Sequence, residues 1–226
     1  MVVTIDHVLN PEELAAIRGQ LAEAVWAEGV SAGPQALLAK RNQQLPEDSE
    51  ILRDLRILVM RALNRSHLLV TAALPFKIMP PNFNRYTGET NRYGLHTDST
   101  LRPLPDGSYL RTDISATLFL SEPDEYDGGE LSIEDTYGRH RVKLAAGSLV
   151  VYPSGSIHEV TPVTGGERLA CYMFMQSLVK DQESRRHLFE MDMALMALRE
   201  RYGDDDPQLV QLTGLYNNLL RRWSEC

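Results

Sequence analysis

The chain has 226 residues, a formal net charge of −8 at pH 7 and a sequence pI near 5.3. Its acidic balance disfavours general electrostatic binding to nucleic acid or to an anionic membrane. Apolar residues make up 43% of the sequence, enough for the core of one domain, and the absence of any run of 18 apolar residues argues against a membrane span.

The first residues and the two cysteines bear on the cellular compartment. The segment from Met1 to His7 lacks a basic stretch followed by an apolar one, so we expect no signal peptide and a cytoplasmic protein. Cys171 lies in an apolar run and is expected to be a buried thiol, whereas Cys226 ends the chain. Neither cysteine has the spacing of a zinc site or belongs to a disulfide framework.

The amino-terminal part of the chain has a helical pattern. Asn10, Pro11 and Glu13 form a helix start, with an N-cap, a proline at the first position and an acidic residue that completes a capping box. A second helix is predicted over about 48–65, where apolar residues recur on one face. The polar residues 34–48 before it are predicted to form a loop.

From Leu68 onward the pattern changes to short β-rich runs separated by Pro, Gly, Asn and Asp. We predict strands near 69–78, 82–87, 113–121, 129–134, 139–144, 147–152, 157–161 and 168–178. About eight short strands in succession indicate a double-sheet jelly roll.

Two more helices are predicted at the carboxyl end, one over 181–202 with Asp181 as its cap and one opened by Asp206-Pro207. Their amphipathic faces fit either packing on the sandwich or a contact between subunits. The predicted fold class is therefore mainly β with flanking helices (α+β). We expect one domain over 1–178, with N-terminal helices and a jelly-roll core, and a helical appendage over 179–226.

An imidazole and a carboxylate stand two positions apart at His96 and Asp98. On an extended strand these side chains point to the same face, so both can reach one metal ion. His158, just beyond a predicted buried strand, is the candidate third ligand. Two histidines and one carboxylate make the facial triad of non-haem Fe(II) sites. The remaining histidines have no such neighbour and are expected to be structural or surface residues: His7, His67, His140 and His187.

Arginines near these residues suggest a site for an anion. Arg168 follows Gly165-Gly166 and opens the next apolar strand, and a hairpin there would bring its guanidinium close behind the metal. Its planar fork can bind a carboxylate through two parallel hydrogen bonds. Four other arginines flank the His96 stretch and are expected to form a solvated rim, with a basic cleft mouth as the alternative: Arg85, Arg92, Arg102 and Arg111.

Several segments between about 85 and 170 carry a family resemblance. They are Arg85-Tyr86-Thr87-Gly88, Tyr93-Gly94-Leu95-His96-Thr97-Asp98, Gly128-Gly129-Glu130-Leu131, Pro153 to Val163, and Gly166-Glu167-Arg168. Together they resemble the PKHD-type hydroxylases, which are bacterial Fe(II)- and 2-oxoglutarate-dependent dioxygenases related to the prolyl 4-hydroxylases.

The resemblance implies a fold, a cosubstrate and a set of site residues. It implies a double-stranded β-helix with His96, Asp98 and His158 as iron ligands. It implies Arg168 as the partner of the distal carboxylate of 2-oxoglutarate, with Tyr86, ten residues before the first ligand, as a second partner. L-Ascorbate (vitamin C) is a possible reductant. Collagen-type relatives use Lys where Arg168 stands, so their substrate is not carried over.

The activity implied is hydroxylation of an unactivated C–H bond in an unidentified peptide or small molecule, with O2 as oxidant and release of succinate and CO2. Alternatives are a nucleic-acid demethylase of the same superfamily, a cupin-like metal protein without O2 chemistry, and a non-catalytic interaction module. The demethylases typically carry a second arginine where this chain has Phe174. We expect no nucleic-acid or membrane partner, and the C-terminal helices allow a homo-oligomer.

Overall fold

A computed structural model describes residues 1–29, 39–104, 106–136 and 138–225. The predicted loop over 34–48 lies partly outside these residues, and Cys226 lies wholly outside them. Within the described part of that loop the prediction was wrong, because Lys40–Arg41 and Gln43–Gln44 form two short strands.

Capping places the first two helices as predicted. In α1, Pro11–Ala22, the Asn10 side chain accepts the Glu13 amide at 2.8 Å, and the Glu13 carboxylate accepts the Asn10 amide at 3.1 Å. Helix α2, Glu50–Arg65, is capped by Ser49 and buries one apolar stripe against the core.

A third helix replaces the first part of the strand predicted over 69–78. Helix α3, His67–Ala73, is capped by Ser66, and Leu74 ends it in a left-handed conformation with φ 43°. Only Pro75–Ile78 is a strand. A short apolar run is compatible with a buried helix as well as with a strand, and here the cap and two small alanines favour the helix.

The β-strands of the described chain form two main antiparallel sheets. In chain order the strands are β1 Val3–Ile5, β2 Ala27–Glu28, β3 Lys40–Arg41, β4 Gln43–Gln44, β5 Pro75–Ile78, β6 Asn82–Tyr86, β7 Arg92–His96, β8 Leu101–Pro103, β9 Tyr109–Arg111, β10 Ile114–Phe119, β11 Tyr126–Gly128, β12 Leu131–Asp135, β13 Gly138–Val142, β14 Leu149–Pro153, β15 His158–Val160, β16 Val163–Gly166 and β17 Arg168–Ser177. The major sheet has the order β1-β14-β10-β17-β6-β4-β2, with β5 also on β17, and the minor sheet has the order β13-β12-β15-β7-β3. Two small ribbons, β11-β16 and β8-β9, complete the jelly roll predicted from the strand count.

Alternation along the major sheet separates the core from the cavity. On β10, Ala116 and Leu118 belong to the cluster that packs against α1, α2 and α3. Their neighbours Ser115 and Thr117 line a cavity shared with the minor sheet. One hydrophobic cluster therefore lies behind the major sheet, whereas a second one, which includes Phe119, Ile133 and Val150, lies between the two sheets beside the polar groups of the cavity.

The carboxyl-terminal helices pack onto the jelly roll through its third helix. Helix α4, Gln182–Tyr202, and helix α5, Pro207–Trp223, begin at the predicted caps Asp181 and Asp206. Thr71 on α3 donates a hydrogen bond to Asp192 on α4 at 2.8 Å. The carboxyl-terminal helices thus pack against α3 of the same chain, while the subunit contact and the division at 178/179 stay predictions. Across the residues described, no helix combines the length and apolar character needed to cross a bilayer.

Gly166, near the site, has a backbone conformation and a close contact that a residue with a side chain could not adopt without strain. Gly166 ends β16 with φ 72°, and a Cβ there would lie 2.0 Å from the Glu125 carbonyl oxygen. We expect Gly166→Ala to lower the free energy of unfolding by about 2 kcal/mol or more, because strain and clash add. Gly19→Ala in α1, where a Cβ meets nothing within 4 Å, should raise it by roughly 0.5–1 kcal/mol. Urea unfolding of both variants checks this, and equal midpoints would contradict it.

Candidate metal centre and cosubstrate pocket

A cavity of about 870 Å³ lies between the two main sheets, and the predicted site residues converge there. His96, Asp98 and His158 each offer a ligand atom, and these atoms all lie within 4.8 Å of one another. His96 is the last residue of β7 and His158 the first of β15, and the two strands pair with these histidines opposite each other. The register of the minor sheet therefore assembles the cluster.

Asp98 lies in the cluster, but it is not placed there by alternation along a strand, as was predicted. Strand β7 ends at His96, so Asp98 does not lie on the strand. Its backbone N–H donates to the Ser154 carbonyl at 3.3 Å, which ties it to the residue after β14. The carboxylate still faces His158, with Oδ2 3.5 Å from Nε2 of that histidine.

Backbone carbonyls orient both imidazoles. Nδ1 of His96 lies 2.8 Å from the Gly94 oxygen, and Nδ1 of His158 lies 2.9 Å from the Ser156 oxygen. A carbonyl only accepts hydrogen bonds, so each Nδ1 carries the proton and each Nε2 is available to a metal. Burial, with the nearby His158 adding to it, lowers the pKa of His96 to about 4. His96 is therefore neutral at pH 7, the form that ligates.

A serine pair holds the carboxylate. Ser115 Oγ donates to Asp98 Oδ2 at 2.6 Å and lies 2.7 Å from Ser154 Oγ. Both serines are buried. Such a contact to a ligand side chain limits its rotation and keeps the same carboxylate oxygen directed into the cluster.

We expect Ser115→Ala to weaken Fe(II) affinity roughly tenfold, because Asp98 loses the donor that orients it. Ser132→Ala is the matched control: Ser132 is buried, and its hydroxyl has no hydrogen-bond partner among the described residues. Anaerobic metal titration by calorimetry measures both affinities. Equal Fe(II) affinity in the two variants would contradict a positioning role for Ser115.

Arg168 is 1% exposed and opens β17, opposite Tyr86 on β6. Its guanidinium carbon lies 5.3 Å from the Tyr86 ring centroid and 5.2 Å from that of Phe119. Its Nε and Nη2 have no hydrogen-bond partner among the described residues. A desolvated cation with unused donors is costly to bury, and a bound carboxylate would compensate it.

Tyr86 lies at the same end of the cavity and is also buried. Its hydroxyl accepts a 3.4 Å hydrogen bond from Asn84 Nδ2. Burial raises the pKa of Tyr86, although the Arg168 charge opposes the shift. The phenol therefore keeps its proton at neutral pH and can donate it to an anion held by Arg168.

Comparisons with known proteins decide the family. Residues 81–176 match the family model of the 2OG-Fe(II) oxygenase superfamily, and 182–225 match that of the PKHD-type hydroxylase C-terminal domain. A PKHD-type hydroxylase of Azoarcus sp. (strain BH72) is 58% identical over the full length of both chains. One of Nitrosomonas europaea is 60% identical, again over the full length of both. This chain belongs to the PKHD-type hydroxylase family. It is an Fe(II)- and 2-oxoglutarate-dependent hydroxylase.

Solved structures agree with the fold of this PKHD-type hydroxylase. A Pseudomonas putida prolyl-4-hydroxylase is 25% identical with a TM-score of 0.51, covering 78% of this chain and 92% of its own. A prolyl hydroxylase from Trichoplax adhaerens has a TM-score of 0.56 at 16% identity, covering 83% and 86% of the two chains. At that identity the second likeness shows the jelly roll alone.

The four flanking arginines of the hydroxylase do not behave alike. Arg85 bonds Gln43 at 2.7 Å, Arg111 pairs with Asp113 at 2.8 Å, and Arg92 is exposed. Arg102 instead lines the cavity, so the expected solvated rim was wrong for this residue.

Three residues that line the cavity of the hydroxylase were not predicted from the sequence. They lie on β3, on β4 and between these two strands. These are Lys40, Asn42 and Gln44, which all line the cavity. Their spacing of two was the available signal, because alternate residues of an extended chain share a face. The segment was too short and too polar to be recognised as strand.

Proposed function

We propose that this hydroxylase uses Fe(II), 2-oxoglutarate and O2 to hydroxylate an unactivated C–H bond in a peptide or small-molecule substrate, with release of succinate and CO2. The observation that carries this proposal is that His96, Asp98 and His158 share one cavity with the buried Arg168. A keto-acid bound between the triad and Arg168 would have a group to hold each of its ends.

The donor set fits ferrous iron. Two imidazole nitrogens and one carboxylate oxygen are the ligands of the facial triad, which leaves coordination positions open. His96, Asp98 and His158 would hold the ion, and Ser115 would orient Asp98. When bound, the ion supplies the O2 activation and redox chemistry that no side chain of the protein can provide.

Arg168 and Tyr86 would hold the distal carboxylate of 2-oxoglutarate. The guanidinium offers a flat fork of donors, and the protonated phenol adds a third. Their burial strengthens these hydrogen bonds, because water does not compete for the same donors. The two residues thereby fix the distance and direction of the keto-acid relative to the triad.

Aromatic and apolar side chains shape the remaining wall. The Tyr152 ring meets that of His158 edge-on, with centroids 5.0 Å apart, and restricts its rotation. Leu131, Val160 and Met173 line the same cavity and give it an apolar part. Apolar lining beside the metal cluster would lower the local dielectric and strengthen the electrostatic interactions of a bound substrate.

Family membership and net charge bear on the alternative functions. Family membership decides against the cupin-like protein without O2 chemistry and against the non-catalytic module. The acidic charge disfavours a nucleic-acid substrate. Within the proposal, 1–178 forms the catalytic domain, 179–226 the extension, L-ascorbate serves as a reductant and the protein acts in the cytoplasm.

The test is the balance of cosubstrates and products. Protein with ferrous salt, 2-oxoglutarate, ascorbate and O2 is incubated with panels of peptides, small metabolites and methylated oligonucleotides. A substrate should produce equal amounts of succinate, CO2 and hydroxylated product, and zinc in place of iron should stop all three. Keto-acid consumption that continues without iron would contradict the proposal, and product from the oligonucleotides alone would favour the demethylase.

A further inference from the structure

A second basic group lines the cavity besides Arg168. Arg102, on β8, is half-buried, and its guanidinium carbon lies 4.4 Å from the Phe174 ring centroid. The Arg102 Nε is buried with no hydrogen-bond partner among the described residues. Stacking on Phe174 holds the guanidinium plane while its donors stay available to a ligand.

Lys40, on β3, lies close to Arg102. Its Nζ is 5.6 Å from the centroid of the Tyr93 ring. Burial lowers the pKa of Lys40 to about 8, and the Arg102 charge contributes to the shift. Tyr93 in turn stacks on His96, with ring centroids 3.5 Å apart. Lys40 therefore lies beside the candidate metal cluster, on the side of Tyr93, and Arg102 lines the same cavity.

With a ferrous ion and 2-oxoglutarate bound, the charges in the cavity would not sum to zero. Three cations and one carboxylate line the described part of it: Lys40, Arg102, Arg168 and Asp98. A ferrous ion, Asp98, dianionic 2-oxoglutarate and Arg168 together carry no net charge. Arg102 therefore adds an excess positive charge to the loaded cavity, and a positive charge in a cavity of low dielectric attracts an anion.

We propose that the primary substrate carries an oxyanion group, a carboxylate or a phosphate, and that Arg102 binds it with Lys40 beside it. Both groups match the fork of a guanidinium through two parallel hydrogen bonds. Arg102 would then determine specificity by setting where the substrate carbon lies relative to the metal cluster. This inference rests on the function proposed above.

The experiment measures binding rather than turnover. Anaerobic protein is saturated with ferrous ion and 2-oxoglutarate and titrated by calorimetry with two matched pairs of probes. The α-methylamide of N-acetylglutamate is compared with that of N-acetylglutamine, and the α-methylamide of N-acetyl-O-phosphoserine with that of N-acetylserine, so that the second member of each pair carries no charge. We expect at least one acidic probe to bind roughly tenfold or more tightly than its neutral partner. Which of the two pairs discriminates identifies the carboxylate or the phosphate.

Three variants assign the effect to Arg102. Arg102→Gln should reduce the discrimination to about twofold or less, while 2-oxoglutarate binding stays within about twofold of wild type. Arg92→Gln, the same change at an exposed arginine of β7, should retain the discrimination. Lys40→Met should give an intermediate value.

Two negative results have different meanings. Wild-type protein that binds 2-oxoglutarate but treats acidic and neutral probes alike overturns this inference alone, as does full discrimination in Arg102→Gln. Wild-type protein that does not bind 2-oxoglutarate in the presence of iron overturns the proposed function, and this inference with it.

Discussion

Asp98→Ala is expected to abolish iron-dependent succinate formation, with a loss of at least about a thousandfold, and His96→Ala should do the same. Each change removes one of three candidate ligands whose donor atoms lie within 4.8 Å of one another. A metal ion contributes several kcal/mol to such a reaction, and each 1.4 kcal/mol is a factor of ten in rate. Succinate release with saturating 2-oxoglutarate measures the loss.

The matched control is His140→Ala. His140 lies on β13 with 49% of its side chain exposed, and its contact with Asp135 is 3.7 Å long. The His140→Ala variant loses an imidazole, as His96→Ala does, but this imidazole lies away from the cavity. Its rate of succinate formation should therefore equal that of wild type. Near-normal succinate formation in Asp98→Ala, at equal thermal stability, would show that the iron is held elsewhere.

Arg168→Met is expected to separate cosubstrate binding from stability. The affinity for 2-oxoglutarate should fall roughly a hundredfold, because losing one partner of a buried charge pair costs about 2–5 kcal/mol. The protein without ligands should be at least as stable as wild type. Methionine fills much of the same space without burying a cation whose Nε and Nη2 have no protein partner among the described residues.

Calorimetry with 2-oxoglutarate and urea unfolding without it test the two halves of this prediction. Arg141→Met, at an arginine whose side chain is 69% exposed, should leave both quantities unchanged. Arg168→Lys should retain part of the affinity for 2-oxoglutarate, since the lysine ammonium keeps the positive charge but cannot form two parallel hydrogen bonds to the carboxylate. Unchanged 2-oxoglutarate affinity in Arg168→Met would remove Arg168 from the proposed site.

Local signals explain which parts of the fold could be predicted. The capping box of Asn10 and Glu13 and the caps Asp181 and Asp206 involve residues within three positions of each other, and all appear in the structure. His96 and Asp98 are near neighbours in sequence, which is why they could be proposed together as candidate ligands, and the structure brings them close to His158. The jelly roll could be predicted because its longer strands carry local patterns of β-rich runs between turn residues.

Other features depend on contacts between distant parts of the chain. The run 69–73 is helical because it buries Leu69, Ala72 and Ala73 against the core, which propensity alone does not reveal. Strands β3 and β4 exist because β7 and β6 supply their partners. Two-residue strands carry almost no sequence pattern of their own.

The positions of Arg102 and Asp98 within the site also depend on contacts with residues distant in sequence. Nothing in the sequence around Arg102 indicates that it stacks on Phe174, more than 70 positions away, rather than facing solvent. Asp98 lies near His96 and His158, but a hydrogen bond from its backbone N–H to Ser154, and not strand alternation, places it there. Spacing motifs name candidate ligands, whereas tertiary contacts determine their geometry.

The central claim is that one cavity binds iron and the keto-acid together, through His96, Asp98, His158 and Arg168. Anaerobic calorimetry of 2-oxoglutarate binding to wild-type protein, with and without one equivalent of ferrous ion, tests it most directly. We expect one keto-acid per chain with iron present, and at least about tenfold weaker binding without it. The same affinity in both samples, or no binding in either, would contradict the account.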